Sequence, residues 1–142
     1  MLTVNDILKN KSSDIFSVEP GTSVYEAVKV LSEKNIGALL VMEHGKLKGI
    51  LSERDYARKV VLKDRKSKET LASEIMTEKV ITVSPADSIE LCMATMSDKK
   101  IRHLPVTDNE KVVGIISIGD VVTAIIHMQQ QTIDHLKNYI SQ

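Results

Sequence analysis

The chain repeats itself. Displaced by 65 residues, Ile15–Tyr56 lies on Val80–Val121 without a gap, and 13 of the 42 paired positions are identical. Pro20 pairs with Pro85, Ile36 with Ile101, Val41 with Val106, Gly49 with Gly114, Ser52 with Ser117 and Asp55 with Asp120. Agreement at this level means that one supersecondary unit is used twice, which excludes most folds open to a chain of 142 residues. A single unit has too little core to stand alone, so the two copies are expected to pack on each other with pseudo-twofold symmetry.

Inside each copy the hydrophobic period changes twice. Pro20-Gly21-Thr22-Ser23 reads as a turn, after which Val24, Ala27, Val28 and Leu31 fall on one helical stripe with Thr22 or Ser23 as N-cap. The second copy repeats this with Asp87 or Ser88 as cap and Ile89, Met93 and Met96 on the stripe. Two short apolar runs around a polar turn follow: 38–42 and 47–51 about His44-Gly45-Lys46, then 104–107 and 112–116 about Asp108-Asn109-Glu110. Each reads as a hairpin. A strand at 15–18 or 80–83 precedes each helix, and a second helix begins at Arg54, running to about Lys63, or at Asp120. The predicted fold class is α+β: two pseudo-twofold related βαββα repeats packed through their sheets, with a long C-terminal helix. The predicted division is 1–70, the first repeat with an N-terminal segment and a polar linker, and 71–142, the second repeat with its terminal helix.

In that last helix Val122, Ile126, Gln129, Ile133, Leu136 and Ile140 step by four and three residues, a heptad seam carrying Gln129-Gln130-Gln131. From Asp120 to Ile140 it would span about 30 Å, more than one small repeat can cover. It either folds back on the first repeat or meets a partner. A short helix over 5–8 is expected to pack in the same region.

Composition narrows the function classes. Lys plus Arg and Asp plus Glu number 19 each, so no global field draws the chain to nucleic acid or an anionic membrane. Between Glu53 and Thr70 seven basic side chains face four acidic ones, too thin a surplus for duplex binding. With Phe16, Tyr25, Tyr56 and Tyr139 as the whole aromatic stock, several nucleobases cannot be stacked on rings. The lone cysteine, Cys92, between Leu91 and Met93, reads as a buried small hydrophobe and rules out an internal disulfide or a multi-cysteine metal site. No apolar run approaches a membrane span and no secretory signal opens the chain, so a cytoplasmic protein is expected. G-x-G-x-x-G, P-loop, G-x-S-x-G and H-E-x-x-H motifs are absent. A Ser117, His103, Asp120 triad can be written down, but two of its members already suit a helix start. His127 and His135 lack metal-ligand spacing and are expected to face solvent. No catalytic or metal site is predicted.

At Asn35-Ile36-Gly37-Ala38-Leu39-Leu40-Val41, Gly49-Ile50-Leu51-Ser52-Glu53-Arg54-Asp55, Arg102-His103-Leu104-Pro105-Val106 and Gly114-Ile115-Ile116-Ser117-Ile118-Gly119-Asp120 the chain resembles a tandem pair of CBS domains, a Bateman module, of the stand-alone bacterial kind. The resemblance covers essentially the whole chain. It implies a regulatory module without chemistry of its own, sensing an adenosine ligand (AMP, ADP, ATP, NAD(H) or S-adenosylmethionine) in the cleft between the repeats. It also implies head-to-head pairing, which favours a homodimer contact for the terminal helix. Occupancy would be transmitted as a small rotation of one repeat against the other.

The Ser-x-x-Asp of each copy admits two readings. It suits a capping box, with Ser52 or Ser117 accepting from the backbone and Asp55 or Asp120 favoured by the helix dipole. The same carboxylate could accept both hydroxyls of a ribose cis-diol, the role the resemblance implies. Without aromatics, aliphatic walls would have to sandwich an adenine, and Ile50 and Ile115, each one residue after the glycine, match the family's contact position. Gly37 and Ala38 leave room for a base, whereas Arg102 and His103 at the matching positions of the second copy would reach phosphates. His103 could also respond to pH. Arg54 stands where the second copy has Gly119, so two unequal sites are expected, with AMP or NAD the favoured ligands.

Overall fold

Both hairpins form, and they form alike. The computed structural model describes residues 1–11 and 14–141. Its elements are α1 (Val4–Lys9), β1 (Ser17–Val18), α2 (Val24–Lys34), β2 (Ala38–Glu43), β3 (Lys46–Ser52), α3 (Glu53–Tyr56), α4 (Ala72–Ile75), α5 (Ile89–Lys99), β4 (His103–Asp108), β5 (Lys111–Ser117) and α6 (Ile118–Ser141). β2 pairs antiparallel with β3, and β4 with β5, each with a register shift at the same place, Val41/Met42 and Val106/Thr107. The turns His44-Gly45 and Asn109-Glu110 carry positive φ at both positions, 52° and 76°, then 51° and 66°. Two-residue turns of this hand match the natural twist of a hairpin.

The helices that precede the hairpins are built to one plan. Ser23 Oγ accepts from Glu26 N at 3.2 Å to cap α2, and Ser88 Oγ accepts from Leu91 N at 3.1 Å to cap α5. Both helices end on a left-handed residue, Asn35 at φ 53° and Lys100 at φ 55°. After each hairpin the copies diverge. α3 passes into a π-helical turn, Ala57–Val61, closed by Leu62 N donating to Ala57 O at 3.0 Å. α6 instead runs unbroken for 24 residues.

The strands predicted at 15–18 and 80–83 are shorter than expected. The first survives as β1, parallel to β2 with Ser17 opposite Leu40. The second is reduced to a single parallel bridge, Val83 with Val106. A proline explains the difference. In the first copy Leu40 N donates to Phe16 O at 3.4 Å, but in the second copy the residue at Leu40's place is Pro105, which has no N–H to give.

The chain divides into two compact units, Asp14–Ile81 and Met1–Ser13 with Thr82–Gln142. The expected division was 1–70 and 71–142; by contacts α1 groups with the second repeat, and α4 and the residues after it with the first. The hydrogen bonds show why. Ala72 N donates to Thr22 O (2.7 Å) and Ser73 N to Pro20 O (3.0 Å); Val4 N donates to Asp87 O and Asn5 N to Pro85 O, both at 2.9 Å. Thr22 and Asp87, and Pro20 and Pro85, are repeat mates, so α1 and α4 are equivalent elements serving opposite repeats. Each is opened by an acidic side chain three residues on: Asp6 Oδ2 accepts from Thr3 N at 2.9 Å and Glu74 Oε2 from Leu71 N at 2.6 Å.

In the unit 14–81 the core joins Val24, Ala27 and Leu31 of α2 to Leu39 and Val41 of β2, Leu51 of β3, Val60, and Ala72 and Ile75 of α4. All four residues from Ala38 to Val41 are buried, so β2 reads as a continuous apolar run because both its faces are covered. In the other unit Val4, Ile7, Ile89, Cys92, Met96, Leu104, Val106, Ile116 and Val121 are buried. Val121 is the last buried residue of α6. Beyond Met128 every described residue of the helix is exposed, including His135, and His127 is exposed before it. The seam residues Val122, Ile126, Ile133, Leu136 and Ile140 are all exposed as well.

Candidate functional site

Each hairpin ends where its second helix begins, and that junction gathers the residues singled out in the sequence. In the first repeat Ala38 faces Ser52 across the ladder, and Glu53 N donates to Gly37 O at 3.0 Å, tying the start of β2 to the start of α3. In the second, His103 faces Ser117, and Ile118 N donates to Arg102 O at 2.8 Å. Gly37, Ala38, Ile50, Ser52, Arg54 and Asp55 therefore share one end of the first hairpin. Arg102, His103, Ile115, Ser117, Gly119 and Asp120 share the same end of the second. Ala38 is buried, Ile50, Ile115 and His103 are half-buried, and Arg102 and Gly119 are exposed.

The capping-box geometry is present in both copies. Asp55 Oδ2 accepts from Ser52 N (2.9 Å) and Ser52 Oγ (3.0 Å), while Asp55 N donates to Ser52 Oγ (3.2 Å). Asp120 Oδ2 accepts from Ser117 N (2.8 Å), and Asp120 N donates to Ser117 Oγ (3.1 Å). These bonds satisfy orphan donors of the first helical turn and fix each carboxylate at the helix N-terminus. They also leave it accessible, with 15% of the Asp55 side chain and 26% of the Asp120 side chain exposed. A carboxylate held this way has lone pairs left to accept further hydrogen bonds.

Both carboxylates carry a lysine that the motif reading did not include. Lys59 Nζ lies 3.1 Å from Asp55 Oδ1 and donates to Ile75 O at 2.9 Å. It stands four residues after Asp55, a spacing at which helical side chains meet, so the sequence held a signal for it. At the matching position the second copy has Ala124. There the ammonium comes from Lys11, 2.6 Å from Asp120 Oδ2 and 2.7 Å from Ile115 O. No local pattern announces a contact with a residue 109 positions away.

Charge at the second junction follows from these contacts. Burial acts to raise the Asp120 carboxyl, but the Lys11 ammonium and the Ser117 bonds outweigh it and hold the group below the usual carboxylate range. Burial, with Lys11 and Arg102 nearby, pushes His103 below the usual imidazole range against the opposing pull of Asp120. His103 is therefore neutral at pH 7, and any response to pH lies on the acid side of an ordinary histidine.

Gly49 and Gly114 set how closely other segments approach. A Cβ on Gly49 would stand 2.5 Å from Met76 Sδ and 2.9 Å from Thr77 O. The Ile50 backbone is paired there with Thr77, N to O at 3.1 Å and O to N at 2.9 Å. A Cβ on Gly114 would meet only the end of Leu8, 2.7 Å from Cδ2. Among the described residues no group of His, Cys, Asp and Glu side chains could hold a metal ion, and no helix is long and apolar enough to cross a membrane.

Two repeats of one hairpin-and-helix unit, each presenting a held carboxylate, define a tandem-repeat module. The chain belongs to the CBS-domain family, whose model matches residues 4–62 and 72–127. It is 39% identical to the CBS domain-containing protein CBSX3, mitochondrial, of Arabidopsis thaliana, over 97% of this chain and 71% of that one. Among solved structures, a putative signal-transduction protein with CBS domains from Burkholderia ambifaria superposes with a TM-score of 0.87 at 50% identity, covering 89% of this chain and 95% of that one. The CBS domain pair of protein MJ0100, in complex with 5'-methylthioadenosine and S-adenosyl-L-methionine, gives a TM-score of 0.78 at 32% identity, covering 90% and 98%.

Proposed function

We propose that this protein is a cytoplasmic sensor that binds an adenosine nucleotide, AMP or NAD before others, at the Ser-x-x-Asp junctions of its repeats, and that it catalyses no reaction. The observation that carries this is the doubled carboxylate. Asp55 and Asp120 are held in the same way on repeat mates, next to half-buried Ile50 and Ile115. A ribose cis-diol would donate to the carboxylate, the isoleucines would cover the adenine face, and Arg54, Arg102 and His103 would meet phosphate. MJ0100, bound to two adenosine compounds, supports the class of ligand, while the arginines here favour an anionic member over a sulfonium. Calorimetric titration of AMP, NAD and ATP should give binding to the wild type. The double variant Asp55→Ala with Asp120→Ala should weaken it at least about 100-fold, since charge-assisted hydrogen bonds are worth roughly 1.5–3 kcal/mol each. A wild type that binds none of the three overturns the reading.

The exposed apolar seam of α6 favours a second reading, an adaptor that dimerises through this helix without needing a nucleotide. The family match stops at residue 127, so removing the chain after Met128 spares both repeats. Light scattering should then show a dimer for the full chain and a monomer for the truncated one, with unchanged nucleotide titrations. A full-length monomer, or a dimer that survives truncation, removes the adaptor role from α6.

A further inference from the structure

The two junctions close differently, and the difference bears on which adenosine compounds the second one accepts. In the first repeat the exposed edge of β3 at Ile50 is sealed by main chain, through the paired hydrogen bonds to Thr77. In the second repeat the carbonyl of the equivalent residue, Ile115, is met by a side chain, the ammonium of Lys11. The same ammonium takes Asp120 at 2.6 Å, on the very oxygen, Oδ2, that accepts from Ser117 N. One group thus engages both acceptors that a nucleoside would address there, a carboxylate and a strand-edge carbonyl. Lys11 is anchored from behind, since Leu8 of the same segment covers Gly114 and Val4 and Ile7 are buried. Its own side chain is 31% exposed, so the ammonium can swing away without unpacking α1.

Resting on the nucleotide reading above, we propose that Lys11 determines specificity at the second repeat: it occupies the Asp120 site and yields it to anionic adenosine compounds in preference to neutral ones. The argument is one of charge. A neutral nucleoside that takes Asp120 must strip away the ammonium and leaves it without a counter-ion. A ligand carrying phosphate offers the displaced ammonium a new anion within reach of its tether, so the ion pair is exchanged rather than lost. Arg102 adds a second positive charge in the neighbourhood of His103, which itself stays neutral.

The test is calorimetry with adenosine and AMP in an Asp55→Ala background, so that only the second junction reports. Wild-type Lys11 should favour AMP. Lys11→Met should tighten adenosine about tenfold, the size of a partly exposed, charge-assisted ion pair, while AMP changes by less than about threefold. Lys11→Arg, which keeps the charge, should keep the preference for AMP, and matching melting curves will show that α1 remains docked. If AMP binding depends on Asp120 but the ratio of adenosine to AMP affinity is the same with Lys11 and with Met, the specificity role is overturned and the nucleotide reading stands. Binding of neither compound by Lys11 or Met protein overturns both.

Discussion

Replacing Leu39 by Ala is expected to lower the unfolding free energy by about 2–5 kcal/mol, enough to unfold a marginal domain. Leu39 is fully buried near the start of β2, where it joins the face that packs against α2, Val60 and α4. Truncation removes the apolar transfer energy of the side chain and leaves a void that a strand covered on both faces cannot collapse to fill. Its repeat mate Leu104 is equally buried in β4, so Leu104→Ala should cost a similar amount. Urea denaturation of the two variants checks this. A loss below about 1 kcal/mol at either site would mean that the strand relaxes around the missing side chain and that the core is looser than its burial implies.

The second large effect is expected at a glycine. Gly49→Val should destabilise by about 3 kcal/mol or more, because its Cβ would meet Met76 at 2.5 Å and, 2.9 Å away, the Thr77 carbonyl. The methionine can move. The carbonyl cannot, because it is half of the paired bridge to Ile50. Gly114→Val makes the control: the nearest atom there is the end of the flexible Leu8 side chain, so this variant should lose clearly less, by at least about 1 kcal/mol. Equal losses in melting or urea experiments would show that glycine is needed at both places for a shared backbone reason, and that the contact with Thr77 is not what distinguishes them.

Much of this architecture was legible from patterning. The helix starts, each narrowed to two candidate caps of which Ser23 and Ser88 do the capping, the paired hairpins, the buried Cys92 and the long last helix all rest on short-range rules, in which a residue and its physical consequence lie within a few positions. The clustering of the Ser-x-x-Asp residues with Ile50 or Ile115 and with the start of β2 or β4 was legible too, because a tight hairpin forces its two ends together. Other features escaped. The missing strand at 80–83 turns on Pro105, whose effect falls on a segment more than twenty residues earlier. The exchange of α1 and α4 between repeats was hidden because the capped segments opening at Thr3 and Leu71 are 68 residues apart, out of step with the 65 that aligns the rest.

What the sequence by itself determined was the unit and its duplication: periodicity, caps and turns are properties of neighbouring residues, and they recur at a constant offset. Only the tertiary structure decided which short helix serves which repeat and which ammonium meets each carboxylate. Lys59 reaches Asp55 along one helix, within the reach of local rules. Lys11 reaches Asp120 only because α1 is docked on the second repeat by Val4 and Ile7 and by backbone bonds to Pro85 and Asp87. Burial and hydrogen bonding of that segment bring together two charges that nothing in the linear order relates.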